Sequence, residues 1–476
     1  FLPVLGAMFI GALGHYPNLR ETATMVTSIS LFLLVASLWP TIQSGTQPEI
    51  VLAEPIPGLA LMLTVEPLGY LFGLLASFLW IFTSIYAIGY MRGHGEQNQT
   101  RFFIFFAISI GSAIGVAFAG NLFTLFVFYE VLSLATFPLV THSGTEEAKK
   151  AGRVYLGILL GTSIGLQLPA IIWTWSITGT LDFTEGGIFD PSTSPLIISA
   201  LVAMYVFGIG KAAVMPFHRW LPAAMVAPTP VSALLHAVAV VKAGVFSILK
   251  ISIYIFGIDL LDTTNATEWL VYVAGATIII ASIVAMSKDN LKARLAYSTV
   301  SQLSYIVLGA MLATSWGVIG SGLHIIAHAF GKITLFFCAG AILVAAHKTE
   351  VSQLRGIGRK MPITMGAFFV GSLTVIGLPP TGNMWSKWYL ALGTLETEQY
   401  VLLGVLMVSA LLNIAYILVI PIRGFFLPLD DKNDNGDIKE APLPCLIALV
   451  VTAMGSIALF FFPDPFYDLL KQIAGS

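Results

Sequence analysis

Charge-free apolar stretches of about twenty residues recur along this chain and dictate the solvent it folds in. They occupy 22–48, 67–91, 102–129, 154–181, 269–287, 361–386, 400–422 and 441–463. About 20 apolar residues carry a helix across a bilayer core. In lipid each such segment must satisfy its own backbone hydrogen bonds, which makes it a helix. Only 10% of the 476 residues are charged and 57% are hydrophobic, whereas a soluble domain carries roughly 25% charged residues. The usual relation between length and domain number therefore does not apply. No basic tract suited to nucleic acid is present. Cys338 and Cys445 stand alone in apolar runs, so neither disulfides nor a cysteine-ligated cluster is expected. The chain opens on Phe1, so its start is read as trimmed and FLPVLGAMFIGALG as the rest of a first membrane helix.

Adding the runs with isolated charges gives an all-α polytopic membrane protein of about fourteen transmembrane helices. They are expected near 1–14, 22–42, 68–90, 102–119, 121–141, 153–176, 196–227, 231–257, 267–286, 295–313, 316–346, 362–395, 400–422 and 441–462. Loop charges test the count. Seventeen of the 23 basic residues follow odd-numbered helices, from Arg20, Arg92 and Arg101 through Lys288, Lys292 and Arg294 to Arg423, Lys432 and Lys439. Loops after even-numbered helices hold acids instead, among them Glu49, Glu54, Asp182, Glu185, Asp190, Asp259 and Asp262. The positive-inside rule then places the basic loops in the cytoplasm and both termini outside.

Lys471 lies in the C-terminal tail, and the five remaining basic residues fall inside the spans: Lys211, Lys242, Lys250, Lys332 and Lys387. A Lys at the centre of a membrane helix costs ~2.5–3.5 kcal/mol on insertion scales, so it normally faces a cavity and serves transport. Lys211 precedes Pro216, and Lys387 follows Pro379 and Pro380. Proline removes a helix hydrogen bond, so both helices are expected to break there. The two breaks lie five helices apart, which predicts inverted five-helix repeats, helices 4–8 and 9–13. The chain then divides into 1–101, a first repeat at 102–257, a second at 267–422, and 441–476.

Glu130 is the single acidic residue between Arg101 and Glu146, and Lys211 is its natural partner. At ~4 Å and an effective dielectric near 20 their attraction is ~4 kcal/mol. A Lys whose counter-ion can leave is a switchable proton carrier; a static ion pair locking two helices is the other reading. His324, His328 and Lys332 recur every four residues and share one helix face. Because histidine titrates near neutral pH, the stripe is read as a proton relay. Metal or haem ligation and histidines satisfied by backbone are its alternatives. Lys242 is expected to extend the relay from Lys211, with His236 a further candidate on its helix. Lys250 either joins the path or snorkels to the outer surface. Tyr297, Ser298, Ser301, Gln302 and Ser304 form a polar stripe that serves a water wire or helix–helix hydrogen bonding equally well. No cofactor or metal is expected. No membrane segment gathers the carboxylates of a Na⁺ site, so any Na⁺ route is expected outside this chain.

The segments FYEVLSLATFPLV, GIGKAAVMPFHRWLPAAMVAPTPVSALLHAVAVVKAG, LKARLAYSTVSQLSYIVLG, HIIAHAFGKITLFFCAG and GLPPTGNMWSK resemble the antiporter-like subunits shared by Mrp-type cation/proton antiporters and respiratory complex I. The resemblance implies a modulating pair, Glu130 and Lys211, and a connecting Lys242. It implies a second half-channel lined by His328 and Lys332, and Lys387 as the terminal proton-exchange residue. FYE…PLV and GTEEAKKAGRVYL look most like Mrp D-type subunits, and Lys387 departs from complex I subunits that carry Glu there. Asn383, Met384 and Trp385 depart from the usual small-Gly-aromatic run. The resemblance thus implies a proton-translocating subunit of a multisubunit Na⁺/H⁺ antiporter in the bacterial cytoplasmic membrane. It would work with other membrane subunits and perform no covalent chemistry. The alternative is a proton-pumping membrane-arm subunit of a redox-driven complex, such as a complex I-like oxidoreductase or a membrane-bound hydrogenase.

Overall fold

The computed structural model describes residues 1–428 and 438–475, without the side chains of Leu235 and His236. Lys432 and the side chain of His236, both used in the sequence reading, thus lie outside the described residues. Among the described residues nine helices are long and apolar enough to cross a membrane: Pro17–Gln43, Pro67–Gly93, Gln99–Ala117, Leu122–Val140, Glu146–Thr178, Glu268–Ser287, Ser315–Ala346, Tyr400–Phe426 and Leu443–Phe461. Val240–Phe256 with Ile258–Thr264, bent by 83°, makes a tenth if taken as one span. The other expected crossings are short, as in Leu2–Ala12, Pro195–Gly208 and Pro362–Ile376, or polar along one side, as in Leu291–Met311. The chain is an integral membrane protein.

Helix starts follow local chemistry. Asn121 caps Leu122–Val140 by accepting from the Thr124 amide at 2.8 Å. Asn290 caps Leu291–Met311 through the Ala293 amide, and Thr314 caps Ser315–Ala346 through the Gly317 amide. Each satisfies a donor that the first helical turn leaves unpaired. Ser315–Ala346 is the central helix. At 32 residues it is about 48 Å long, and residues 317–342 are all buried. It packs against Pro67–Gly93, Leu291–Met311, Pro362–Ile376, Asn383–Glu396, Leu443–Phe461 and the 229–251 segment.

Both expected helix breaks exist, but the prolines do not end the helices. Pro195–Gly208 stops eight residues before Pro216 and gives way to a 3-10 turn, Gly210–Ala212, with Ala213 left-handed at φ 55°. Trp220 Nε1 donates to the Gly210 carbonyl at 2.8 Å, and the Lys211 amide donates to the Tyr129 hydroxyl at 3.1 Å. Side chains therefore satisfy the freed backbone groups, as membrane depth requires. Pro362–Ile376 ends at Gly377, whose φ of 89° admits glycine far more readily than any other residue. Pro379 and Pro380 follow it, and the chain resumes as Asn383–Glu396. The Met215–Pro216 and Pro379–Pro380 bonds are cis.

One element corrects the all-α expectation. Glu49–Ile56 and Leu59–Thr64 form an antiparallel hairpin, tied down by Thr64 N to Phe118 O at 2.7 Å and Gly120 N to Met62 O at 2.9 Å. The alternation LALML and the Pro-Gly turn before it carry this signal weakly. The tail is also a helix, Asp464–Ala474, with Leu469, Leu470 and Ile473 buried.

Candidate functional site

A line of buried polar side chains crosses the interior from the first broken helix to the second. Lys211 stands in the 3-10 turn and is fully buried. Its ammonium donates to the Tyr129 carbonyl at 2.8 Å and Ser133 Oγ at 2.5 Å, and lies 3.1 Å from the Tyr129 ring centroid. Glu130, expected to pair with it, is not among the ion pairs within 4.0 Å in the described residues, and its Oε1 is buried without a hydrogen-bond partner. Lys211 is held instead by Tyr129 and Ser133, on the same helix as Glu130. Ser133 lies one helical turn on from Tyr129, so both present oxygens to one point.

Lys242 stands just after a π-turn at Leu234–Val238, a helix irregularity that often accompanies functional sites. Its Nζ lies 2.8 Å from His328 Nδ1, and both residues are fully buried. This contact joins the two halves of the line. Two residues on, a Cβ at Gly244 would sit 2.4 Å from the Ala212 nitrogen and 2.5 Å from the Lys211 carbonyl carbon. Glycine thus lets the Lys242 helix press directly on the first break.

The expected stripe on the central helix is real and fully buried. The His324 and His328 rings lie 5.6 Å apart at an interplanar angle of 11°, and the Tyr305 ring stacks on His324 at 5.4 Å. His324 Nδ1 meets Ser386 Oγ at 3.0 Å, and Ser386 donates in turn to Asn383 Oδ1 at 2.8 Å. Lys332 donates to Ser298 Oγ at 2.6 Å and the Leu295 carbonyl at 3.2 Å. Lys387 donates to the Val375 and Ile376 carbonyls, both at 2.9 Å. It caps the end of the first half-helix, where the dipole favours a cation. The two break lysines are not equivalent by position. Lys211 lies three residues past Gly208, whereas Lys387 lies eleven past Ile376, inside the second half-helix.

Several buried polar atoms along this line have no hydrogen-bond partner among the described residues: His324 Nε2, His328 Nε2, Asn383 Nδ2, and both amide atoms of Gln302. Buried polar atoms of this kind are places where water completes the hydrogen bonding. Gln302 belongs to the polar stripe read in the sequence. Ser301 of that stripe instead meets Ser282 Oγ at 2.9 Å, which is helix–helix bonding.

Lys250 does not snorkel. It is fully buried and pairs with Glu66 Oε1 at 2.8 Å. Glu66, only 4% exposed, is a buried acid that the pattern of apolar spans does not single out. Its local signal is a different one: Glu66 immediately precedes Pro67, and an acceptor followed by Pro at the first helical position marks a helix start. Glu21 is buried as well, held by Arg20 at 3.3 Å and Arg92 at 2.6 Å.

Residues 119–413 match the family described as NADH:quinone oxidoreductase/Mrp antiporter, TM. NADH-quinone oxidoreductase subunit N of Desulforudis audaxviator (strain MP104C) is 32% identical over 435 residues, covering 88% of this chain and 85% of its own. A probable K(+)/H(+) antiporter component of Rhizobium meliloti (strain 1021) is 33% identical over 77% of this chain, which spans only 36% of that longer relative. A chain in the structure of the Mrp complex from Dietzia sp. DQ12-45-1b shares the fold, with a TM-score of 0.86, 21% identity, and coverage of 99% and 95%.

Proposed function

The chain belongs to the NADH:quinone oxidoreductase/Mrp antiporter membrane family, and from that premise we propose that it is the proton-translocating subunit of a multisubunit Na⁺/H⁺ antiporter. Protons pass through Lys211, Lys242, His328, Lys332 and Lys387, with Glu130 setting the charge beside Lys211. His324 continues the relay, and His236 is an auxiliary group on the Lys242 helix. In this reading fourteen helices cross the bacterial cytoplasmic membrane with both termini outside. The units 102–257 and 267–422 are inverted repeats, and other membrane subunits carry the cation.

The observation that carries the proposal is the 2.8 Å contact between Lys242 Nζ and His328 Nδ1. An ammonium donating to a neutral imidazole is one step from an amine facing an imidazolium, and the proton moves with no change in packing. The Lys242 ammonium beside Nδ1 also supports the relay reading of His328 over metal ligation, because a cation at 2.8 Å repels a second cation on the same ring.

A second reading is favoured by one observation. The relative matched over 85% of its own length is named as a quinone oxidoreductase subunit. In that reading the same path serves a redox-driven pump. Lys387 at the terminal position supports the antiporter.

The test is proton movement in everted vesicles holding the whole complex, followed with a pH-sensitive dye after Na⁺ addition, for wild type, Lys211→Ala and Lys387→Ala. Na⁺-triggered flux without an electron donor, lost in both variants, is the expected result. Flux that appears only with a reductant assigns the chain to a redox pump.

A further inference from the structure

Outside the central line lies a second buried charge cluster, and it reaches the surface. Glu66 caps Pro67–Gly93, accepting from the Leu68 amide at 2.6 Å and the Gly69 amide at 2.8 Å. Lys250 Nζ lies 2.8 Å from Glu66 Oε1 and donates to the Ala119 and Ala117 carbonyls at 2.8 and 3.3 Å. Those carbonyls end the Gln99–Ala117 helix, so each charge sits at the helix end whose dipole favours it. Tyr254 stands in a second π-turn, Ser252–Phe256, and its hydroxyl donates to Glu66 Oε2 at 3.2 Å.

Tyr254 also lines a cavity of about 90 Å³, shared with Thr46, Gln47, Pro67, Glu185 and Gln472. At its mouth Gln47 Nε2 donates to the exposed Glu185 Oε1 at 3.3 Å. A side-chain chain therefore runs from the surface, through Tyr254 and Glu66, to Lys250. It opens on the face that carries the acidic loops. Lys250 is eight residues beyond Lys242 on one helix, about 12 Å along its axis. The second π-turn begins two residues after Lys250.

We propose that Lys250, Glu66 and Tyr254 form the portal through which protons of the first half-channel exchange with solvent on the acidic-loop face. The inference rests on the proton-translocation reading above. In the outward step the Lys250 ammonium gives a proton to the Glu66 carboxylate, leaving a neutral amine and a neutral acid. The Tyr254 hydroxyl then turns its hydrogen from Glu66 toward water in the cavity, and the acid gives its proton to the phenol oxygen as the phenol releases its own to that water. Glu66 is an ionised carboxylate again, Tyr254 a phenol, and one proton has left. Lys250 regains a proton from the interior. Water, or movement at the π-turn, bridges the interval past Phe246, whose ring lies 5.5 Å from Lys250 Nζ.

Two measurements on the assembled complex in vesicles test this. Tyr254→Phe removes the hydroxyl while keeping the ring, and Glu66→Gln keeps an oxygen for the helix cap. Each is expected to lower proton flux about tenfold or more at unchanged complex yield, with Lys211→Ala run alongside. Separately, Gln47→Cys is labelled with a bulky membrane-impermeant thiol reagent, and flux is compared before and after. Cys338 and Cys445, the two native cysteines, are buried. Block from the acidic-loop face alone is expected. Wild-type flux in Tyr254→Phe and Glu66→Gln, or no block on labelling, overturns the portal and leaves a structural ion pair. Flux that survives in Lys211→Ala overturns instead the reading on which the portal rests. Should Glu66→Gln fail to assemble, Tyr254→Phe and the labelling decide.

Discussion

The ammonium of Lys242 lies 2.8 Å from Nδ1 of His328, on a helix reached by way of the first break and a helix leading to the second. Neither residue has any exposed surface, so the pair has no route to solvent except through its neighbours. On the proposed path, protons passing between the two halves would cross at this contact.

If the two act as one unit, removing either stops transfer and removing both costs little more. Lys242→Ala and His328→Ala are each expected to lower proton flux at least roughly tenfold, and the double variant to match the singles instead of multiplying them. Flux in vesicles normalised to complex content measures this. Independent, multiplicative effects would place the two residues on separate routes.

Gly244 holds the Lys242 helix against the backbone of Lys211, where a Cβ would come within 2.4 Å of the Ala212 nitrogen. Backbone cannot give way as a side-chain tip can. Gly244→Ala is expected to destabilise the protein by ~1–3 kcal/mol, the usual range for overpacking, and to impair flux though it removes no polar group. Thermal unfolding in detergent, with flux in parallel, checks both.

Lys387 caps the Val375 and Ile376 carbonyls as well as lying on the proposed path. Those two roles separate by substitution. Lys387→Arg keeps a cation at the helix end but holds its proton at all working pH, so it is expected to retain stability and lose flux. Lys387→Met loses flux and also ~0.3–1 kcal/mol from the cap. Equal melting temperatures for the two variants would remove the capping role.

His142 lies outside the spans, on the turn after Leu122–Val140, with Nε2 2.9 Å from the Gln97 carbonyl. Burial, reinforced by the nearby Arg101 guanidinium, holds its pKa below the ordinary histidine value. The folded protein thus prefers the neutral ring, and the unfolded chain takes up a proton first. Stability contributed by the neutral ring is complete above about pH 6.5 and is lost as pH falls from there toward the lowered value. His142→Gln is expected to flatten the pH dependence of the melting temperature between about pH 7 and pH 5. An unchanged slope would show that other groups set it.

Sequence patterns locate the ionisable residues far better than their partners. Lys211, Lys242, Lys332 and Lys387 stand out because a membrane makes each one costly, and that cost is visible residue by residue. Lys211 resting on Tyr129 and Ser133, and Lys250 on Glu66, are contacts across 78 to 184 positions of sequence. Packing fixes such contacts and no local pattern encodes them. The breaks are legible as regions through their prolines. Their ends are not: the first helix ends at Gly208, which packs closely on Gln167, and the second at Gly377 with its positive φ, both upstream of the prolines. The hairpin at Glu49–Thr64 stays hidden because a short alternating run beside long apolar helices reads as loop.

The first half of the path poses the sharpest remaining question, since Lys211 is bound by Ser133 and Tyr129 while Glu130 Oε1 lacks a partner. Ser133 Oγ, at 2.5 Å, competes with Glu130 for the same ammonium. Removing the hydroxyl frees one donor of Lys211 and leaves the carboxylate as the stronger acceptor, because a charged hydrogen bond is roughly twice as strong as a neutral one. Ser133→Ala is therefore expected to pull Lys211 toward Glu130 and to slow turnover several-fold by locking the pair. Glu130→Gln in the same background removes the attracting charge and is expected to restore part of the lost rate. Flux in the single and double variants reads this out. If Ser133→Ala leaves the rate unchanged, Ser133 does no more than fill space beside Lys211. If the double variant is slower than either single, Glu130 drives the proton instead of trapping it.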